Sequence, residues 1–218
     1  MFPLKDNNPS YTRPIVNISL ILINVIVFIY ELLQPNIMGF MYKHAFIPAM
    51  LFDYHYIFSS LIRAFNSMFL HGGFMHIIGN MWFLWVFGDN VEDRLGHVNY
   101  LFFYLVAGYV SMIVQGAITP HSTIPLIGAS GAISAVLGAY LVFFPHAEVL
   151  TLLPIFIFIT FVWFPAWLYI VIWFFIQYLN GIFSVVSESM GGVAWFAHIG
   201  GFIFGFIVAK IVLKKEYR

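Results

Sequence analysis

A serine stands among small residues in Gly128-Ala129-Ser130-Gly131. Glycines on either side permit a tight turn and a close backbone approach. If a helix starts here, its first amides lack an in-helix acceptor and its dipole favours negative charge. That setting suits a nucleophilic serine whose oxyanion is held by its own amide and a neighbour's. Packing is the other reading, because Gly131, Ala135 and Gly138 continue one small-residue face. A second polar residue, His198, lies in Ala197-His198-Ile199-Gly200-Gly201, inside an apolar run. No charge in that run pairs with it, so the imidazole stays neutral, as a general base must. Its alternative is a histidine bonded to a backbone carbonyl. Gly201 and Gly205 form a GxxxG step that lets another helix approach.

His76 and Asn80 are four apart and share a helical face, with His71 just before them. His71 and His76 are five apart, with no third ligand nearby, which fits a zinc site poorly. Donation of hydrogen bonds to an oxyanion suits His76 and Asn80 better, and neither metal nor cofactor is expected. Arg63, Glu92 and Arg94 are placed for ion pairing and helix capping rather than chemistry.

The elements that must position these residues follow from composition. Of 218 residues, 62% are hydrophobic, 20% aromatic and only 8% charged, against roughly 25% charged in a soluble domain. Mean hydropathy is +0.93. Nine Lys+Arg balance nine Asp+Glu, so no basic field invites nucleic acid. With no cysteine, thiol catalysis is excluded. The fold class is an all-α polytopic membrane bundle in contact with lipid, and about 20 apolar residues are needed per crossing. Six crossings fit, at approximately 15–33, 71–91, 98–118, 124–144, 165–182 and 193–213. The first reads as a retained anchor rather than a removed signal peptide. The run 149–179 is too long for one crossing and short for two, and Pro154 and Pro165 divide it. Its first part, 149–164, reads as an extended or interfacial segment. The aromatic loop 34–70 reads as half-buried at the interface, and Gly181–Gly192 as a mobile cap.

Six crossings place both termini on one side, with Lys5, Arg13, Arg94, Lys210, Lys214, Lys215 and Arg218. Only Lys43 and Arg63 fall on the other. The positive-inside rule then makes the termini cytoplasmic, and the expected location is the plasma (inner) membrane. On this topology Ser130, His198 and His76 all lie near the outer surface. A seventh crossing between Ser130 and His198 would separate them.

Taken in order, Arg63, His71-Gly-Gly-Phe-Met-His76-Ile-Ile-Gly-Asn80, Glu92-Asp-Arg94, Gly128-Ala-Ser130-Gly131 and Ala197-His198-Ile-Gly-Gly201-Phe-Ile-Phe-Gly205 resemble the rhomboid intramembrane serine proteases. Each piece is weak alone, and the ordered set is specific. The resemblance implies a six-helix bundle with an outward water-filled cavity. It makes Ser130 the nucleophile and His198 the base, with His76, Asn80 and the Ala129 and Ser130 amides around the oxyanion. It gives Gly201 and Gly205 the packing of the sixth helix on the fourth. Glu92 and Arg94 become structural, and the fifth helix a lateral gate. The implied substrates are transmembrane proteins, with small residues before the cut. Many rhomboids carry an aromatic four residues after the nucleophile, stacked on the histidine; here that residue is Ser134. Tyr140, Trp195 and Phe196 are the candidates to replace it. The alternative function is a non-catalytic transporter or a rhomboid-like binder of transmembrane helices. The substrate and the oligomeric state are not encoded in these motifs.

Overall fold

In the computed structural model, residues 1–155, 158–186 and 193–216 are described. Residues 187–192, half of the expected cap, lie outside them. Helix α6 (Ser130–Phe143) is SGAISAVLGAYLVF, and all of it except Ser130, Leu141 and Phe143 is buried. Small side chains let neighbours close around it from every direction. Those neighbours are α4 (Phe74–Leu95), α5 (His97–Ile118), α7 (Ala166–Val186) and α8 (Trp195–Glu216). Helix α1 (Ile15–Leu32) packs on α4 from outside.

Among the described residues, four helices are long and apolar enough to cross a membrane: Ile15–Leu32, His97–Ile118, Ala166–Ser184 and Trp195–Lys215. Helix α4 has 22 residues, but Asp89, Asn90, Glu92, Asp93 and Arg94 crowd its last turns. Helix α6 has 14 residues and at 1.5 Å per residue is roughly 21 Å long, short of a hydrocarbon core of roughly 30 Å. Its late start differs from the expected one near residue 124. Pro125 disfavours a helical residue before it, and Leu126 N–H donates to Phe46 O instead (2.8 Å). Gly128 then turns the chain at φ 119°, a conformation open to glycine. Its N–H donates to Ser67 O (2.8 Å), and Phe46 N–H donates to Ser67 Oγ (2.6 Å).

The 34–70 stretch is more ordered than a loop. It holds α2 (Ile37–His44), a 3-10 turn (Pro48–Met50) and α3 (Ile57–Ser67). Arg63 ties α3 to α2: its Nη1 donates to Tyr42 O (2.8 Å) and Ala45 O (3.1 Å). The 148–165 stretch is a hairpin of β2 (Glu148–Ile155) and β3 (Phe158–Pro165). Its other edge pairs with β1 (Phe2–Asp6), giving an antiparallel sheet in the order β1-β2-β3. Phe158, Ile159, Phe161 and Trp163 leave β3 with an exposed apolar side, suited to a lipid interface.

The N-terminal segment also clasps the end of the bundle far from Ser130. Ser10 Oγ donates to Asp89 (2.5 Å) and Thr12 N–H to Asp93 (2.8 Å). Glu92 accepts from the amides of Val16 (3.0 Å) and Asn17 (2.6 Å), and so caps α1. The Arg94 guanidinium lies 5.7 Å from the centre of the Phe143 ring. The Tyr140 hydroxyl donates to Asp6. Burial pushes the Asp6 carboxyl up to about 6, against the downward pull of that hydrogen bond. Here the folded state holds the proton more tightly than the unfolded chain. The stabilisation is complete below the ordinary carboxylate value and is lost as pH rises through the raised one. Asp6→Asn, which imitates the neutral acid, should therefore gain in Tm relative to wild type as pH rises from about 5 to about 7.5. Thermal melts across that range check it, and the reverse trend would contradict it.

Candidate active site

Ser130 is the first residue of α6, so its amide and those just after it have no in-helix acceptor. Its Oγ lies 2.8 Å from His198 Nε2, which α8 presents in its first turn. Backbone-to-backbone packing of the two helices sets that distance. A Cβ built on Gly201 would stand 2.0 Å from Gly131 O, and one on Gly205 would stand 1.9 Å from Ala135 O. A Cβ on Gly131 would meet Ser111 Oγ of α5 at 2.1 Å. The start of α8 is fixed by Gln115 of α5, whose Oε1 accepts from the amides of Phe196 (3.0 Å) and Ala197 (3.1 Å).

Polar hydrogens converge on the turn before Ser130. Gly72 N–H points at His76 Nδ1 (3.4 Å), which leaves Nε2 as the protonated nitrogen. A Cβ on Gly128 would be 2.6 Å from that Nε2 and 3.6 Å from Asn80 Nδ2. Both donors therefore face the Gly128–Ser130 backbone, with Ala129 fully buried between. Asn80 is held from behind. Its Nδ2 donates to His71 Nε2 (3.0 Å), and His71 Nδ1–H donates to Phe69 O (3.2 Å). Glu31 Oε2 accepts from the His71 amide (3.1 Å).

A cavity of about 660 Å³ opens over these groups, lined by His76, Asn80, Gln115, Ser130, Gln177 and His198 among others. His71 stands off its wall, buried behind Asn80. The His71 and His76 rings lie 5.1 Å apart, and no group of three His, Cys, Asp or Glu side chains forms among the described residues.

Of the three aromatic candidates beside His198, one places its ring against it. Trp195 meets it edge-on, with ring centres 6.0 Å apart. Tyr140 spends its hydroxyl on Asp6 at the other end of α6. Phe196 donates its backbone amide to Gln115 Oε1. Ser134 turns its Oγ to Ser130 O (2.6 Å). Two further neighbours come from α7: the Trp173 ring at 6.2 Å, and Gln177, whose Oε1 lies 3.0 Å from His198 Nδ1. Neither was singled out from the sequence. The one available signal was an amide in the otherwise apolar run IVIWFFIQYL.

Fold and site together describe a helical membrane protein with a serine–histidine pair at the heads of two parallel, closely packed helices. The rhomboid domain model matches residues 59–215, and the chain belongs to the rhomboid family. It is 31% identical over 209 residues to rhomboid protein 1, mitochondrial, of Saccharomyces cerevisiae, covering 90% of this chain and 54% of that protein. It is 28% identical to RHOMBOID-like protein 6, mitochondrial, of Arabidopsis thaliana (70% of this chain, 44% of that one). The same identity holds for the presenilin-associated rhomboid-like protein, mitochondrial, of Homo sapiens (64% and 35%). The chain thus spans about half or less of the length of these relatives. They also correct the plasma-membrane expectation. All three carry a mitochondrial designation, and charge bias alone orients helices without saying which membrane holds them.

Proposed function

We propose that this rhomboid is an intramembrane serine endopeptidase that cuts transmembrane segments of other proteins. The observation that carries this reading is the 2.8 Å contact between Ser130 Oγ and His198 Nε2. It lies in a cavity whose other polar groups are hydrogen-bond donors or neutral amides. His198 Nε2 takes the proton from Ser130 Oγ as the oxygen attacks a peptide carbonyl carbon. The oxyanion is received by the Ser130 and Ala129 amides, His76 Nε2–H and Asn80 Nδ2–H. Collapse breaks the C–N bond, and His198 gives its proton to the leaving amine. Water then hydrolyses the acyl-enzyme with the same base. A substrate helix must unwind first, because its peptide bonds are hidden inside the helix.

Six crossings are part of the proposal, with α4 and α6 counted beside the four long apolar helices. The sheet supports this topology, since pairing of β1 with β2 puts residues 2–6 and 148–155 at one end. Ser130 and His198 lie at the heads of α6 and α8, and His76 near the head of α4. Tags at the two termini should share one side of the membrane, with a tag near Ser187 on the opposite side. Termini on opposite sides would end the six-crossing reading.

Purified protein in proteoliposomes with a single-span reporter tests the activity. Two fragments should appear, with the cut placed by mass spectrometry near the Ser130 end of the span, and EDTA should change nothing. A reporter that associates and stays whole would favour the helix-binding alternative. Asn80→Ala and His76→Ala should each lower kcat about 10-fold while KM barely moves, because oxyanion contacts form in the transition state and the other donors remain. A raised KM with unchanged kcat would make them substrate-binding groups instead.

A further inference from the structure

An imidazole that accepts the serine proton must offer it a bare nitrogen, so its other nitrogen must carry the hydrogen. In many serine hydrolases a carboxylate holds that hydrogen. Here the partner of His198 Nδ1 is Gln177 Oε1 at 3.0 Å. An amide could turn either end to the ring, and the second contact decides which. Gln177 Nε2 donates to Trp173 O (3.2 Å), one helical turn back on α7. Its oxygen therefore faces His198, and an oxygen without hydrogens can only accept. Nδ1 is thereby the protonated nitrogen, and Nε2 turns its lone pair to Ser130 Oγ at 2.8 Å. Gln177 is 7% exposed, so little water competes for the bond. Its helix is held against α8 by the Phe174 and Phe202 rings, stacked with centres 4.4 Å apart.

We infer that Gln177 is a positioning residue that fixes the His198 tautomer, completing a Ser130–His198–Gln177 relay with a neutral third member. This rests on the serine protease reading above. Because the acceptor sits on a different helix from either dyad member, the base is correctly set only while α7 is docked on α8.

The test compares wild type with Gln177→Leu, which keeps bulk and loses the acceptor, and Gln177→Glu, which keeps an oxygen at the same reach. Gln177→Met stands in if the leucine variant does not fold. Three readouts are taken: reporter cleavage, the rate at which a fluorophosphonate labels Ser130, and the imidazole nitrogen spectrum of 15N-histidine protein in micelles. Gln177→Leu should lose about 10- to 100-fold in kcat and labelling rate with KM nearly unchanged, the scale of loss when the hydrogen-bond partner of a metal-bound histidine is removed. Its His198 signals should shift from a single Nδ1–H form to a mixture. Gln177→Glu should recover most of the rate. Wild-type rates in Gln177→Leu, or a lower rate with an unchanged His198 spectrum, would overturn the inference. If wild-type Ser130 takes no label and the reporter stays whole, the protease reading is what fails. The nitrogen spectrum then still decides whether Gln177 holds the Nδ1 hydrogen.

Discussion

Ser130→Ala and His198→Ala should each lower cleavage of a transmembrane reporter by at least about a thousandfold, and the double variant should be no worse than either single one. The reason is geometric. Oγ and Nε2 are 2.8 Å apart, so proton removal and attack are one event, and losing either partner forfeits all of it. Neither change should unfold the protein. Ser130 is only half-buried at a helix start, and α6 is held below it by Gly131, Ala135 and Gly138 against α5 and α8. Turnover by the variants, measured per folded molecule from matched melts, checks the claim. Substantial residual turnover in Ser130→Ala would remove the serine from the chemistry.

The second large effect is expected far from any reacting atom. Gly205→Val should abolish activity and lower Tm, and Gly205→Ala should already cost about 100-fold in kcat. A Cβ there would stand 1.9 Å from the carbonyl oxygen of Ala135, and backbone cannot swing aside as a flexible side chain can. The helices must part by more than an ångström, and misplacement of reacting groups on that scale costs about 100-fold. Gly201→Ala should behave similarly, since its Cβ would meet Gly131 O at 2.0 Å, one residue from the nucleophile. Measuring kcat together with Tm separates the two consequences. Full activity in Gly205→Ala would mean that α6–α8 spacing does not set the site.

The sequence carried the polar outliers well, because lipid makes each of them conspicuous. Ser130, His198, His76 and Asn80 stand out against apolar runs, and the structure places all four around one cavity. The glycines were legible for the same reason, as small residues at helical spacing. Long-range partners were not. Nothing in Phe2–Asp6 shows that it pairs with 149–152 some 145 residues later, since strand pairing is set by tertiary context. The run 149–164, set off by Pro154 and Pro165, did read as an extended or interfacial segment. Gln177 is not legible as a partner of His198, because it sits 21 residues before it on another helix and no local spacing links them. Hydropathy continues through Ile124 and Leu126, and so places the start of α6 near residue 124. Pro125 and the Gly128 turn hold that stretch out of the helix, and this delay is what puts Ser130 at the helix head.

The most direct test of the central claim is covalent. Folded wild-type protein is treated with a fluorophosphonate, digested, and the modified residue located by mass spectrometry. One adduct is expected, on Ser130 Oγ, absent from Ser130→Ala and formed far more slowly in His198→Ala. A folded protein whose Ser130 stays unmodified, or a label that persists in Ser130→Ala on another serine, would contradict it.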